Sequence, residues 1–165
     1  MELYPLVVTG HVFFVMVALG AHGASALAMA AVQREADRAR LAAILDLSVR
    51  AFSVASVALA AAVLLGVAAT IMGNHGGRLW VWVSIGALVV LMVLMTPLAG
   101  RPMNRVRRAL GLRSERNGPG VDPDREPLSD DELAAARAAL RPGLVALVGL
   151  AGTLALVWLM EAKPF

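Results

Sequence analysis

The sequence predicts an all-α integral membrane protein. It should be an up-and-down four-helix bundle, N-out and C-out, with short interfacial helices on the cytoplasmic side. Three observations carry this. The 165 residues are 59% hydrophobic and only 16% charged, with a mean hydropathy of +0.72, whereas a water-soluble domain carries about a quarter charged residues. Four apolar stretches each offer the roughly 20 helical residues that cross a hydrocarbon layer about 30 Å thick. The basic residues, 14 Arg and one Lys, are gathered mostly in the connections after the first and third stretches.

The first span is expected over 6–31, inside a run from Leu3 to Gln33 without a formally charged side chain. Pro5 suits a first helical turn, where a missing N–H costs nothing. The start Met1-Glu2-Leu3-Tyr4-Pro5 has no basic region, and the apolar run is too long for a cleaved leader, so the segment reads as a span. Gly20, Ala24 and Ala28 recur every four residues and share a face, where small side chains let a neighbouring helix approach. The second helix should begin near Asp37 as N-cap, with its lipid-embedded part over 51–72. Ala58, Ala62, Gly66 and Thr70 form a second small-residue face there, the expected partner of the first. In its first turns Asp46 and Arg50 stand at i,i+4 with the acid leading, the favourable order for an ion pair.

Gly73-Asn74-His75-Gly76-Gly77 reads as a tight turn. The third span is expected over 79–99, ended by Pro97, Gly100 and Pro102. In the connection 101–141, Met103, Val106 and Leu110 share one face with arginines between them. That pattern predicts an interfacial helix laying Arg105, Arg107 and Arg108 on anionic lipid headgroups. The stretch from Asn117 to Pro127, rich in Gly, Pro and acids, reads as a flexible loop. Ser129 with Glu132 is a capping box that starts a further helix. Pro142 either kinks that helix or separates it from the fourth span, 143–160.

The connections after spans one and three, counted to include Arg50, hold four and nine arginines. The opposite side holds Arg78 and Lys163. The positive-inside rule places the arginine-rich connections in the cytoplasm and both termini outside. Tyr4, Trp80, Trp82 and Trp158 fall at the outward ends of spans, as an aromatic belt does. With 14 Arg to one Lys and abundant Ala, Val and Leu, the composition points to a bacterial inner membrane. The arginines beside spans call for anionic inner-leaflet lipid rather than nucleic acid.

The absence of cysteine excludes disulfides, thiolate metal sites and thiol catalysis. No phosphate loop, nucleophile triad or metal motif of diagnostic spacing occurs. His11 and His22 are eleven residues apart. They therefore lie on one helix face, separated along its axis by about 16 Å, too far to share an ion. A buried polar group such as His22 either hydrogen-bonds a neighbouring helix or marks a pathway or cofactor. His11, Met72 and His75 all project to the outer end, where imidazole and thioether would suit copper. Haem would need a second axial ligand. Spans two to four contain no histidine, so that ligand would have to be a methionine such as Met16, Met72, Met92, Met95 or Met160.

Several short motifs carry a resemblance across most of the membrane part. They are His11 and Gly20 in span one, Arg50 and Gly66 in and before span two, Trp80-Val81-Trp82 opening span three, and the closing Trp158-Leu159-Met160-Glu161-Ala162-Lys163-Pro164. In these the chain resembles bacterial four-span membrane proteins of unknown function that are similar to the copper-resistance D membrane protein. The resemblance implies the four-helix bundle and a link to copper or haem.

The expected function is a non-enzymatic membrane protein with a structural or interaction role, associating with itself or with another membrane component and needing no cofactor. Two alternatives stay open. One is copper or haem handling through His11 and His75 with His22, and the other is a small proton-coupled transporter centred on His22.

Overall fold

The computed structural model describes residues 3–164; Met1, Glu2 and Phe165, which entered the reading of the chain ends, lie outside the described residues. Four helical rods, each long and apolar enough to cross a membrane, run up and down. Helix α1 covers Leu3–Arg34, and α2 covers Arg38–Met72. The third rod is α3, Leu79–Met95, then a π turn, Thr96–Gly100, then α4, Arg101–Ala109. The fourth rod is α5, Asp130–Ala138, followed by α6, Pro142–Ala162.

The turn between α1 and α2 is three residues long and held by side chains. The Glu35 carboxylate accepts from the backbone N–H of Ala36 at 2.9 Å and of Asp37 at 3.0 Å. Asp37 is the expected N-cap and accepts from the Arg40 N–H at 2.8 Å. So short a turn sets the register of the antiparallel pair, because residues equally distant from it must stand opposite each other. Helices α1 and α2 pack most closely. Helix α6 packs against both α1 and α3, and so joins the first pair to the third rod.

Pro97 and Pro102 do not end the third rod. Proline removes an N–H and crowds the carbonyl four residues back. Here the chain widens by one residue per turn, and Arg101 N–H donates to the Thr96 carbonyl five residues back. A π turn of this kind absorbs the lost bonds and lets the helix continue. At the fourth rod, Arg141 leaves the helical conformation, with φ −126° and ψ 66°, and Pro142 takes the first turn of a new helix. Pro142 therefore separates two helices. The capping box at Ser129 and Glu132 forms as expected.

The buried core sits at one end. Met29 and Val32 of α1, Leu41 and Leu45 of α2, Met103 and Val106 of α4, with Leu112, Leu133, Leu140 and Val145, make one cluster. At 1.5 Å per residue, Leu45 lies about 40 Å along α2 from its Met72 end. That exceeds the hydrocarbon thickness of about 30 Å, so much of this core lies at headgroup and water level. Only where water is present does burial of apolar surface drive association. Inside lipid the helices rely on close packing and hydrogen bonds.

The segment 110–128 is folded onto this core rather than standing free as a flexible loop. Arg113 N–H donates to the Gly120 carbonyl at 3.0 Å and Asp122 N–H to the Gly111 carbonyl at 2.8 Å, around an isolated bridge between Leu112 and Val121. Leu128 N–H donates to the Ala109 carbonyl at 2.9 Å. The α4 helix is likewise no ribbon on the headgroups. Its Arg107 is only 1% exposed, and its guanidinium donates to the Arg113 carbonyl at 2.6 Å and to Asp46 of α2 at 3.1 Å. Asp46 thus pairs with Arg107 rather than with Arg50, and it also accepts from Gly120 N–H at 3.2 Å. The reason is tertiary: a rigid guanidinium fork satisfies several acceptors at once, whereas Arg50 is exposed and solvated.

Replacing Arg107 by Leu should destabilise the protein by about 2–4 kcal/mol, because it takes the charged partner from Asp46 and the donor from the Arg113 carbonyl. Arg107→Lys should recover only part of that loss. Thermal unfolding in detergent measures both, and equal stability of wild type and Arg107→Leu would refute the account.

Candidate functional site

The ionisable side chains within the expected spans are the two histidines of α1, and each meets a glycine of a neighbouring helix. His11 Nδ1 lies 2.7 Å from the Ala62 carbonyl. A carbonyl can only accept, so Nδ1 carries the proton donated in this contact. The contact depends on Gly66: a Cβ there would stand 3.0 Å from the His11 ring. His22 lies against α6, where a Cβ on Gly149 would stand 2.9 Å from His22 Nε2, with the Met95 methyl nearby. His22 makes no hydrogen bond among the described residues, so packing rather than hydrogen bonding fixes it there.

The common face of His11 and His22 is thus divided between two neighbours. His11, near the start of α1, meets α2, and His22, further along, meets α6. Gly149 lies in a run of small residues spaced three apart, Ala146, Gly149, Gly152 and Ala155, unlike the four-residue spacing that marks α1 and α2. Gly152, one turn on, plays the same part for Leu91 of α3, and a Cβ there would stand 2.7 Å from that side chain.

The expected pairing of small faces is half right. Ala58 and Ala62 are buried, and Gly66 is in contact with His11. Their partner is not the Gly20, Ala24, Ala28 face. Gly20 and Ala24 are exposed, nothing lies within 4 Å of a Cβ built on Gly20, and only Ala28 is buried. The α1–α2 turn explains this. His11 is 25 residues before Ala36 and Ala62 is 26 after it, so they must meet. The pairing of Gly20 with Gly66 would need a slip of about three and a half helical turns.

The outer-end residues do not converge on one site. The His75 ring stacks obliquely on Trp80 at 5.9 Å between centroids, and lies beside Gly73. The His11 ring lies beside Gly66, which is about 10 Å further down α2. Met72 is 44% exposed. Two imidazoles so far apart cannot both reach one ion at about 2 Å, so His11, Met72 and His75 do not fit a shared copper site. Around His75 the chain builds an anchor instead. Lys163 stands over the Trp80 ring at 5.8 Å, and Trp82 donates from its indole N–H to the Gly76 carbonyl at 3.0 Å.

At the charged end, the Arg107 fork holds α2, α4 and segment 113–120 together. Asn104 helps by accepting from Glu115 N–H at 2.8 Å. Burial pushes the Glu115 carboxyl above the ordinary glutamate value, and the nearby Arg107 charge offsets this in part. By contrast, the backbone N–H groups of Asp37 and Ala36 hold the exposed Glu35 carboxyl below its usual value. Of the three arginines expected on headgroups, Arg105 and Arg108 are exposed and Arg107 is buried. No family model, curated protein or solved structure matches the chain.

Two expectations follow. Gly66→Ala and Gly149→Ala should each cost about 1–3 kcal/mol through overpacking, whereas Gly20→Ala should be neutral or slightly stabilising. In the double variant His22→Ala/Gly149→Ala the cost should be less than the sum of the two singles; strict additivity would show that the two residues do not touch. For Glu115, the folded state holds its proton more tightly than the unfolded state, so stability should fall as pH rises through the raised folded value. Glu115→Gln should remove that slope and melt no lower than wild type at neutral pH, a comparison made by unfolding across pH.

Proposed function

We propose that this chain is a non-enzymatic, four-span protein of a bacterial inner membrane. Its termini are extracytoplasmic, and its role is to hold the folded arginine-rich cap at the cytoplasmic surface for interaction with another membrane component or a second copy. The observation that carries this reading is the placement of the buried core. The ordered, water-driven part of the molecule is the charged end, while the two histidines of the spans are spent on helix-to-helix contacts. The separation of His11 from His75 argues for this structural role over a copper or haem centre built from them, and the seating of His22 on Gly149 argues for a packing role over a proton path.

The natural absence of cysteine makes the orientation directly testable. Gly76→Cys should react with a membrane-impermeant maleimide in right-side-out vesicles, and Asn117→Cys only in inverted ones; the opposite pattern would overturn the orientation. The interaction role predicts that mildly solubilised native membranes contain the chain in an assembly larger than the monomer, and that Arg113→Glu dissociates it. A strictly monomeric wild type would sink the role.

A further inference from the structure

On the side of α4 away from the Arg107 contacts, the charged end carries a cavity of about 270 Å³. Arg105 and Arg108, three apart on α4, meet Arg125 and Glu126 there over a floor of Ala109, Leu128 and Ala136. The floor and walls are fixed without help from these guanidiniums. Leu128 is tied to Ala109 by a backbone bond, and its carbonyl accepts from Arg38 at 2.8 Å. Arg38 also pairs with Asp130 at 2.6 Å. Gly111, at φ +70°, lets the Arg125 carbonyl and the Pro127 ring lie within contact distance of the end of α4. Any other residue there would be strained.

The three guanidiniums, in contrast, are not spent. Among the described residues Arg105 and Arg108 make no hydrogen bond or ion pair, and Arg125 has one long contact, 3.5 Å, to Asp122. With Glu126 as the one acid, the cavity carries a formal excess of two positive charges. Forked guanidiniums on an apolar floor match a phosphate group that bears organic substituents. Their level fits too. Arg105 is five residues past Gly100, about 7.5 Å beyond the apolar part of the rod, and the headgroup layer on each side of a bilayer is roughly 5–8 Å deep.

We infer that Arg105, Arg108 and Arg125 form a preformed site for a phosphate group, carried by an anionic lipid headgroup or by free phosphate, with the Glu126 carboxylate placed to accept from a headgroup hydroxyl. Arg107 has no part in it. The inference rests on the proposed placement of the charged end at a membrane surface, but not on which side of the membrane that is. Lipid discs expose both faces, so the maleimide result can fail while this one stands.

The test uses the full chain in phosphatidylcholine discs into which phosphatidylglycerol is titrated. The melting temperature should rise saturably with phosphatidylglycerol. Arg108→Gln should shift the midpoint about tenfold, and Arg105→Gln/Arg108→Gln/Arg125→Gln should abolish the rise. Arg116→Gln, an arginine of the same charged end outside the cavity, should leave it unchanged. The triple variant should melt like wild type in pure phosphatidylcholine, since none of the three side chains holds the cap; if it does not, the single variants carry the comparison. A saturable rise with inorganic phosphate in phosphatidylcholine discs at constant ionic strength, lost in the same variants, would uphold the site and assign it to free phosphate. Equal loss in Arg116→Gln, or an unchanged response in the triple variant, would overturn the inference.

Discussion

The arrangement of the charged end depends on one buried guanidinium. Arg107 is the largest fully buried side chain of the protein. It reaches from α4 to Asp46 of α2 and to the carbonyls of Arg113 and Gly118 in the following segment. A buried ion pair of this kind contributes little net stability compared with apolar packing, but removing one partner is costly. Its effect is to select one arrangement. Without a donor at that point, α2 and α4 lose the polar contact that fixes their register, and segment 110–120 loses its side-chain tie to the buried guanidinium. Asp46 adds to this by accepting from both Arg107 and Gly120 N–H. The segment is thereby closed on both sides.

Two different forces hold the two ends of the molecule. At the charged end, water makes burial of Leu41, Leu45, Val106 and Leu140 favourable, and a core of the soluble kind results. Between the spans that force is missing, because lipid tails are as apolar as leucine. There the helices are located by shape. Gly66 receives His11, Gly149 receives His22, and Gly152 receives Leu91. Each glycine admits a side chain that any Cβ would push away. The end of the bundle opposite the buried core is finished by Trp80, His75 and Lys163, an amphipathic group suited to the interface. The π turn at Thr96–Gly100 belongs to the same logic, since it carries the third rod through two prolines so that α4 can reach the core.

The sequence was most legible where the signal is local. Length and hydropathy mark four spans. Asp37 and the Ser129–Glu132 box mark helix starts correctly, because an N-cap depends on neighbours within three residues. Small-residue spacing found the correct face of α2 but the wrong face of α1. Spacing reports which residues share a face, not which way the face points. The three-residue turn after Arg34 already contained that information, because it forces His11 opposite Ala62. The cavity of Arg105, Arg108 and Arg125 was half visible: its α4 members share a face, but Arg125 arrives through the fold of segment 110–128.

What the sequence determined by itself is the number of helices, their caps and their apolar character, all consequences of composition and of contacts a few residues long. What only the tertiary structure decided is where each polar group goes. Arg107 and Arg108 are adjacent in an arginine-rich helix, yet one is buried against Asp46 and the other faces a cavity. Asp46 has Arg50 at ideal helical spacing and pairs with Arg107 instead. The physical reason is that these choices are made between elements. A local ion pair contributes a few tenths of a kcal/mol, whereas a charge enclosed among three elements is costly to leave without partners, and Arg107 finds its partners in Asp46 and the Arg113 carbonyl.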